Sequence, residues 1–214
     1  MGYTAIVDYG VGNLKSVANA MSWLGFDTVI TGDAGELERA EAVILPGVGA
    51  FPDAAERLRK NNLDSKIALQ ILKKPVLGIC LGMQLLFETG QEVRPCVGLG
   101  LIPGTVERIE TSRKLPHIGW NSLTFSNDCP IFRGLEDGTY VYFVHSFCGK
   151  AAREEDVAAR TDYGASVVAA VHRGNVYGGL FGLYDKLRPN YHPSLHNQSI
   201  CLPMPCQPID KPEL

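Results

Sequence analysis

The sequence predicts an α/β protein: a mostly parallel sheet flanked by helices, with an antiparallel extension in its second half. Three observations lead there. In the first half, short apolar runs alternate with longer amphipathic ones, the pattern of strands joined by crossover helices. After about residue 95 the texture changes to short apolar segments separated by polar or glycine-containing turns, the pattern of antiparallel strands. And 214 residues, 45% hydrophobic and 20% charged, suffice for one sizeable core and are few enough for one domain.

Taken in order, strands are predicted over residues 3–8, 27–30, 42–45 and 75–79, each rich in Val, Ile or Leu and each ending at a glycine, proline or turn residue. Strands of this kind are expected to be covered on both faces. Between the first two, residues 13–24 carry Leu14, Val17, Ala18, Met21 and Leu24 at helical spacing, with Asn13 as N-cap and Gly25 closing the C-terminus. Residues 53–72 fit one broken helix or two short ones, because Asn61, Asn62 and Asp64 interrupt the stripe formed by Leu58, Ile67, Leu69 and Leu72. Residues 82–88 open a further helix. The segments GLGLIPGTVERIE, LPHIGWNSL, TYVYFVHSF and SVVAAVHRGNVYG supply the antiparallel strands. Residues 189–214 hold six of the 13 prolines and no periodic apolar run, which predicts an irregular tail.

Twenty Lys+Arg against 23 Asp+Glu leave a formal charge of −3 with no basic run, so nucleic-acid binding through phosphate neutralisation gains no support. No stretch of about 18 apolar residues occurs and the N-terminus has no basic leader, which argues against a membrane span or secretion and for the cytoplasm. The six cysteines lack a CxxC pair and a histidine at ligand spacing, so reduced thiols are expected, with no disulfide framework and no metal site.

The strongest chemical signal is PVLGICLGMQLL, residues 75–86, in which an apolar strand runs through Gly78-Ile79-Cys80-Leu81-Gly82 into a helix. A nucleophile at a tight strand-to-helix turn needs small neighbours two residues away on each side, and Gly78 and Gly82 supply them. Unpaired amides at the helix start are expected to lower the Cys80 pKa. The plain alternative is an inert core cysteine. The preceding strand ends in Leu45-Pro46-Gly47-Val48-Gly49-Ala50, a turn that either brings a second amide beside the Leu81 amide to form an oxyanion hole or simply joins strand to helix. Asp8-Tyr9-Gly10-Val11-Gly12-Asn13 fails as a dinucleotide fingerprint, since Lys15 stands where the third glycine belongs; an anion-binding or substrate-edge loop and a structural turn remain open. Spacing does not choose a base for Cys80 among His117, His145, His172, His192 and His196. His117 and His145 sit in apolar surroundings that suit structural histidines, and His172 precedes a hairpin turn and reads as a solvated edge residue.

These segments, with IVDYGVGNLKSV, LPGVGAF, GICLGMQLLFE, GLGLIPGTV, LPHIGWN and VYFVHSF in that order, resemble the class I (triad) glutamine amidotransferases, in particular the glutaminase subunits of imidazole glycerol phosphate synthase. DYGxGN and PHIGWN carry most of the distinction from other amidotransferases, and the resemblance spans about residues 3–178. It implies a flavodoxin-like sheet, no cofactor, and a Cys80 that attacks the side-chain amide of glutamine to give a glutamyl thioester and ammonia. It further implies an oxyanion hole from Gly49 and Leu81, glutamine-binding positions at Gly47, Gly82, Gln84, His145 and Ser146, and a partner cyclase subunit with a (β/α)8 barrel that uses the ammonia. Residues 117–121 and 142–146 are placed near glutamine or the partner.

The resemblance breaks after Gly178. The family continues G-x-Q-F-H-P-E, supplying the base and its acid; here Gly182 stands where the histidine belongs and Tyr184 where the glutamate belongs. His192-Pro193 restores a His-Pro pair, which makes His192 the candidate base, although Ser194 replaces the acid. The expected division is an amidotransferase domain over residues 1–178 and a divergent tail over 179–214. Three accounts of the tail compete: a frameshifted or chimeric end, an insertion returning His192 to the site, or a silent subunit that keeps its partner interface. The abrupt loss of match at one point favours the first.

Overall fold

The structure, a computed structural model, describes residues 2–70 and 73–181. The predicted tail from residue 182 onward, with His192 and His196, lies outside the described residues.

The chain opens with β1 (Thr4–Val7), α1 (Leu14–Trp23), β2 (Thr28–Thr31), α2 (Ala34–Arg39) and β3 (Ala42–Gly47). There follow α3 (Phe51–Lys60), α4 (Leu63–Gln70), β4 (Val76–Cys80), α5 (Leu81–Leu85), β5 (Phe87–Gly90), β6 (Cys96–Val97) and β7 (Ile102–Arg108). The second half supplies β8 (His117–Ser122), β9 (Thr124–Phe125), β10 (Tyr140–His145), β11 (Phe147–Ala151), β12 (Val157–Asp162), β13 (Ser166–Arg173) and β14 (Val176–Gly179). The main sheet has the order β2-β1-β3-β4-β14-β13-β12-β9. Its first five strands run parallel, and β13, β12 and β9 extend it antiparallel. The mostly parallel sheet with an antiparallel extension is therefore as predicted. Part of the second half instead forms a separate four-stranded sheet, β11-β7-β5-β6, and a paired β10-β8 ribbon.

Local signals were obeyed closely in α1. The Asn13 side chain accepts the Ser16 N–H at 3.3 Å. At the other end Gly25 has φ 82, its N–H reaches Ser22 O, and Phe26 N–H reaches Met21 O, a Schellman closure. The 53–72 segment resolves as two short helices, parted where Asn62 adopts φ 52.

Two expectations need correction, and one element was missed. The helix expected over 82–88 starts at Leu81 and stops at Leu85, because Phe87 is fully buried and turns into β5 to pair with β7. Burial on both faces holds for β1 and β3, whereas β2 is an edge strand with Ile30 41% exposed. Helix α2 was not anticipated; Asp33 caps it by accepting the Glu36 N–H at 2.9 Å. At its far end the Lys74 ammonium donates to Leu37 O (3.1 Å), Glu38 O (2.7 Å) and Ala40 O, tying α2 to the start of β4.

Asp8, Gly47 and Cys80 thus lie at the carboxyl ends of β1, β3 and β4, the edge where ligands bind in open α/β sheets.

Candidate active site

Cys80 ends β4 and starts α5 with φ 55 and ψ −113. A side chain other than glycine at positive φ is strained by about 1–2 kcal/mol, which the surrounding packing must offset. That packing explains the glycines. A Cβ on Gly78 would lie 2.6 Å from the Gly82 carbonyl oxygen, and one on Gly82 would collide with the Leu45 carbonyl. Gly47 pairs directly with Cys80 across the β3–β4 ladder, and a Cβ there would lie 2.8 Å from Tyr9 Oη and 2.9 Å from Gly82 N. Gly47 and Gly82 let the elbow and the turn after β3 meet at van der Waals distance. Gly49, φ 114, lies exposed two residues beyond that pair.

The expected lowering of the Cys80 pKa is not what the site provides. Burial pushes the thiol up from its ordinary value, and the Leu81 N–H, which hydrogen-bonds the sulfur, offsets only part of this. With five residues, α5 is a short source of dipole, and among the described residues no imidazole hydrogen-bonds the thiol.

Gln84 and His145 converge on one acceptor. Gln84 Nε2 donates to the Phe147 carbonyl at 3.0 Å, and His145 Nδ1 lies 3.1 Å from the same oxygen, which places its proton on Nδ1. Burial holds His145 down to about 4, and its Nε2 is buried without a partner among the described residues. Ser146 gives its carbonyl to Ile109 N–H, while its hydroxyl makes no hydrogen bond among the described residues. His117 is stacked between Tyr163 (3.8 Å) and Phe143 (4.8 Å); it is a buried histidine, as its apolar context suggested. His172 is half-buried rather than solvated, because it stacks on Tyr177 at 4.6 Å.

Two residues of this region were missed. Tyr9, 2% exposed, donates its phenol to Pro46 O at 2.7 Å. Glu92 Oε2 accepts the Phe51 N–H at 2.8 Å and so closes the head of α3, which has no side-chain cap of its own. Neither carried a local signal, since each partner is about 40 residues away. Strand β14 pairs with β4 as far as Gly179 opposite Ile79 and so runs beside the elbow.

The family model for glutamine amidotransferase class-I matches residues 5–181, and a strained cysteine elbow on the carboxyl edge of a largely parallel sheet, faced by a glycine turn, fits that class. A crystal structure of a glutamine amidotransferase shares the fold with a TM-score of 0.68 at 19% identity, covering 85% of this chain and 90% of that one. PurLQS from Thermotoga maritima also gives 0.68, at 23% identity and coverage of 85% and 87%. Imidazole glycerol phosphate synthase subunit HisH of Bacillus cereus (strain G9842) is 46% identical over 178 residues, 83% of this chain and 85% of the relative. The HisH subunit of Caldanaerobacter subterraneus subsp. tengcongensis is 46% identical over 82% of this chain and 87% of its own length. The chain belongs to this family of imidazole glycerol phosphate synthase glutamine amidotransferase subunits.

Proposed function

We propose that Cys80 hydrolyses glutamine to glutamate and ammonia, and that the ammonia passes to a partner cyclase subunit making imidazole glycerol phosphate and an aminoimidazole carboxamide ribotide in histidine biosynthesis. The observation that carries this reading is the elbow: a half-buried thiol at φ 55, held between Gly78 and Gly82 and paired with Gly47. The sulfur attacks the carboxamide carbon, and the amides of Leu81 and Gly49 receive the oxyanion. The tetrahedral adduct collapses as the nitrogen takes a proton and leaves as ammonia; water then cleaves the thioester. Gly47 and Gly82 let the oxyanion turn pack against the elbow, and the resemblance places them with Gln84, His145 and Ser146 around the bound glutamine. His192 is the candidate base. No cofactor or metal enters.

The (β/α)8 partner is assigned from the resemblance, and the β8–β10 ribbon supports a docking face. Register puts Ile118 opposite Val144 and Trp120 opposite Tyr142, and Ile118, Trp120 and Val144 are about half exposed while His117, Val141, Phe143 and His145 on the other face are buried. No helix among the described residues is long and apolar enough to cross a membrane. A cytoplasmic location, and a division into an amidotransferase domain over 1–178 and a separate tail over 179–214, complete the proposal.

A second reading, a silent subunit that keeps the interface, draws on Gly182 and Tyr184 in place of the family's base and acid. Glutamate release from glutamine, with the cyclase subunit and its nucleotide ligand present, separates the two. Turnover lost in Cys80→Ala is expected; no release above that control sinks the glutaminase reading and favours the silent one. General acid–base assistance is worth about 10²–10⁴-fold, so its loss is visible in the same assay.

A further inference from the structure

The loop Asp8–Asn13 has no role in the chemistry above, yet it is fastened to the turn that follows β3. Tyr9 is 2% exposed, and its phenol donates to Pro46 O at 2.7 Å, its one hydrogen bond among the described residues. Pro46 immediately precedes Gly47, the ladder partner of Cys80. The phenol oxygen lies so close that a Cβ on Gly47 would sit 2.8 Å from it. Gly12 approaches from the same loop, where a Cβ would lie 3.6 Å from Gly47 N and from the Pro46 ring. The Pro46–Gly47 peptide is therefore bracketed by Tyr9 through a hydrogen bond and by Gly12 through packing.

The loop is in turn anchored. Asp8 Oδ1 accepts the Gly10 N–H at 3.0 Å, and the Arg57 guanidinium lies 3.4 Å from Gly10 O. The turn it holds contains two glycines in three residues, and glycine leaves the peptide orientations free unless something outside the turn sets them. Burial, and secondarily the nearby Cys80 charge, push the Tyr9 phenol well above the ordinary tyrosine range, so it remains a donor.

Resting on the glutaminase reading, we infer that Tyr9 is a positioning residue for the oxyanion turn: its hydroxyl holds the Pro46 carbonyl and so keeps the amides of residues 47–49 oriented toward the tetrahedral adduct on Cys80. Tyr9 touches no reacting atom in this account. It acts through the Pro46 peptide.

The test compares two reactions of the same thiol in the full chain, with the cyclase subunit and its nucleotide ligand present as in the glutamine assay. Cleavage of γ-glutamyl p-nitroanilide passes through an oxyanion: sulfur bonds to the acyl carbon, the carbonyl electrons move to oxygen and return as p-nitroaniline leaves with a proton. Alkylation by iodoacetamide forms a carbon–sulfur bond and expels iodide with no oxyanion. Tyr9→Phe, which removes one oxygen atom, is expected to lower the Cys80-dependent kcat for the anilide about tenfold, with KM and the alkylation rate each within about twofold of the unaltered chain. The alkylation rate reports that the elbow is folded in the variant. An unchanged kcat, or a parallel fall in both reactions, overturns the positioning role. An unaltered chain with no anilide cleavage above Cys80→Ala overturns the glutaminase reading and this inference with it, whereas equal cleavage by the unaltered chain and Tyr9→Phe overturns this inference alone.

Discussion

Cys80 combines a strained backbone with a thiol that its surroundings keep protonated. The strain was legible, because the Gly-x-Cys-x-Gly spacing is a local steric requirement and the contacts at Gly78 and Gly82 bear it out. The direction of the pKa shift was not legible. It is the balance of burial against a single amide from Leu81, and burial is the sum of residues far apart in the chain. Alkylation of Cys80 by iodoacetamide is therefore expected to keep accelerating past about pH 9, where an ordinary thiol levels off. A plateau near neutral pH would show an activating cation beside the sulfur.

At the level of elements, the sheet and its helices followed from periodicity and caps wherever the determining residues were neighbours: Asn13 with Ser16, Gly25 with Ser22, Asn62 at the break between α3 and α4. Helix α2 went unseen because six residues make too short a stripe, and its C-terminal closure comes from outside it. Lys74, 8% exposed, holds the carbonyls of Leu37, Glu38 and Ala40. Lys74→Met keeps the apolar stem and orphans these acceptors, so it is expected to lower unfolding free energy by about 1–3 kcal/mol in a denaturant titration. An unchanged midpoint with unchanged slope would mean that water replaces the ammonium at no cost.

Across the whole molecule, stability is expected to depend on the buried imidazoles. His145 is held down to about 4 by burial, against an unfolded value near 6.5, and His117 is lowered by burial as well. Between those pH values the unfolded chain binds the extra proton, so the stability from neutral His145 is complete above about pH 6.5 and falls as pH drops toward 4, by on the order of 3 kcal/mol. His145→Asn retains a donor for the Phe147 carbonyl and is expected to flatten this part of the stability–pH curve; equal slopes for both chains would exclude His145 as its source. The sequence by itself determined the sheet class, most parallel strands and the cysteine elbow, because each rests on periodicity or spacing within a few residues, and it pointed to the family through the resemblance of its ordered segments. Only the tertiary structure decided that Gln84 and His145 share the Phe147 carbonyl, that Tyr9 grips Pro46 and that Glu92 closes α3. Most of these contacts join residues tens of positions apart, and their strength and protonation depend on burial, which no stretch of sequence contains.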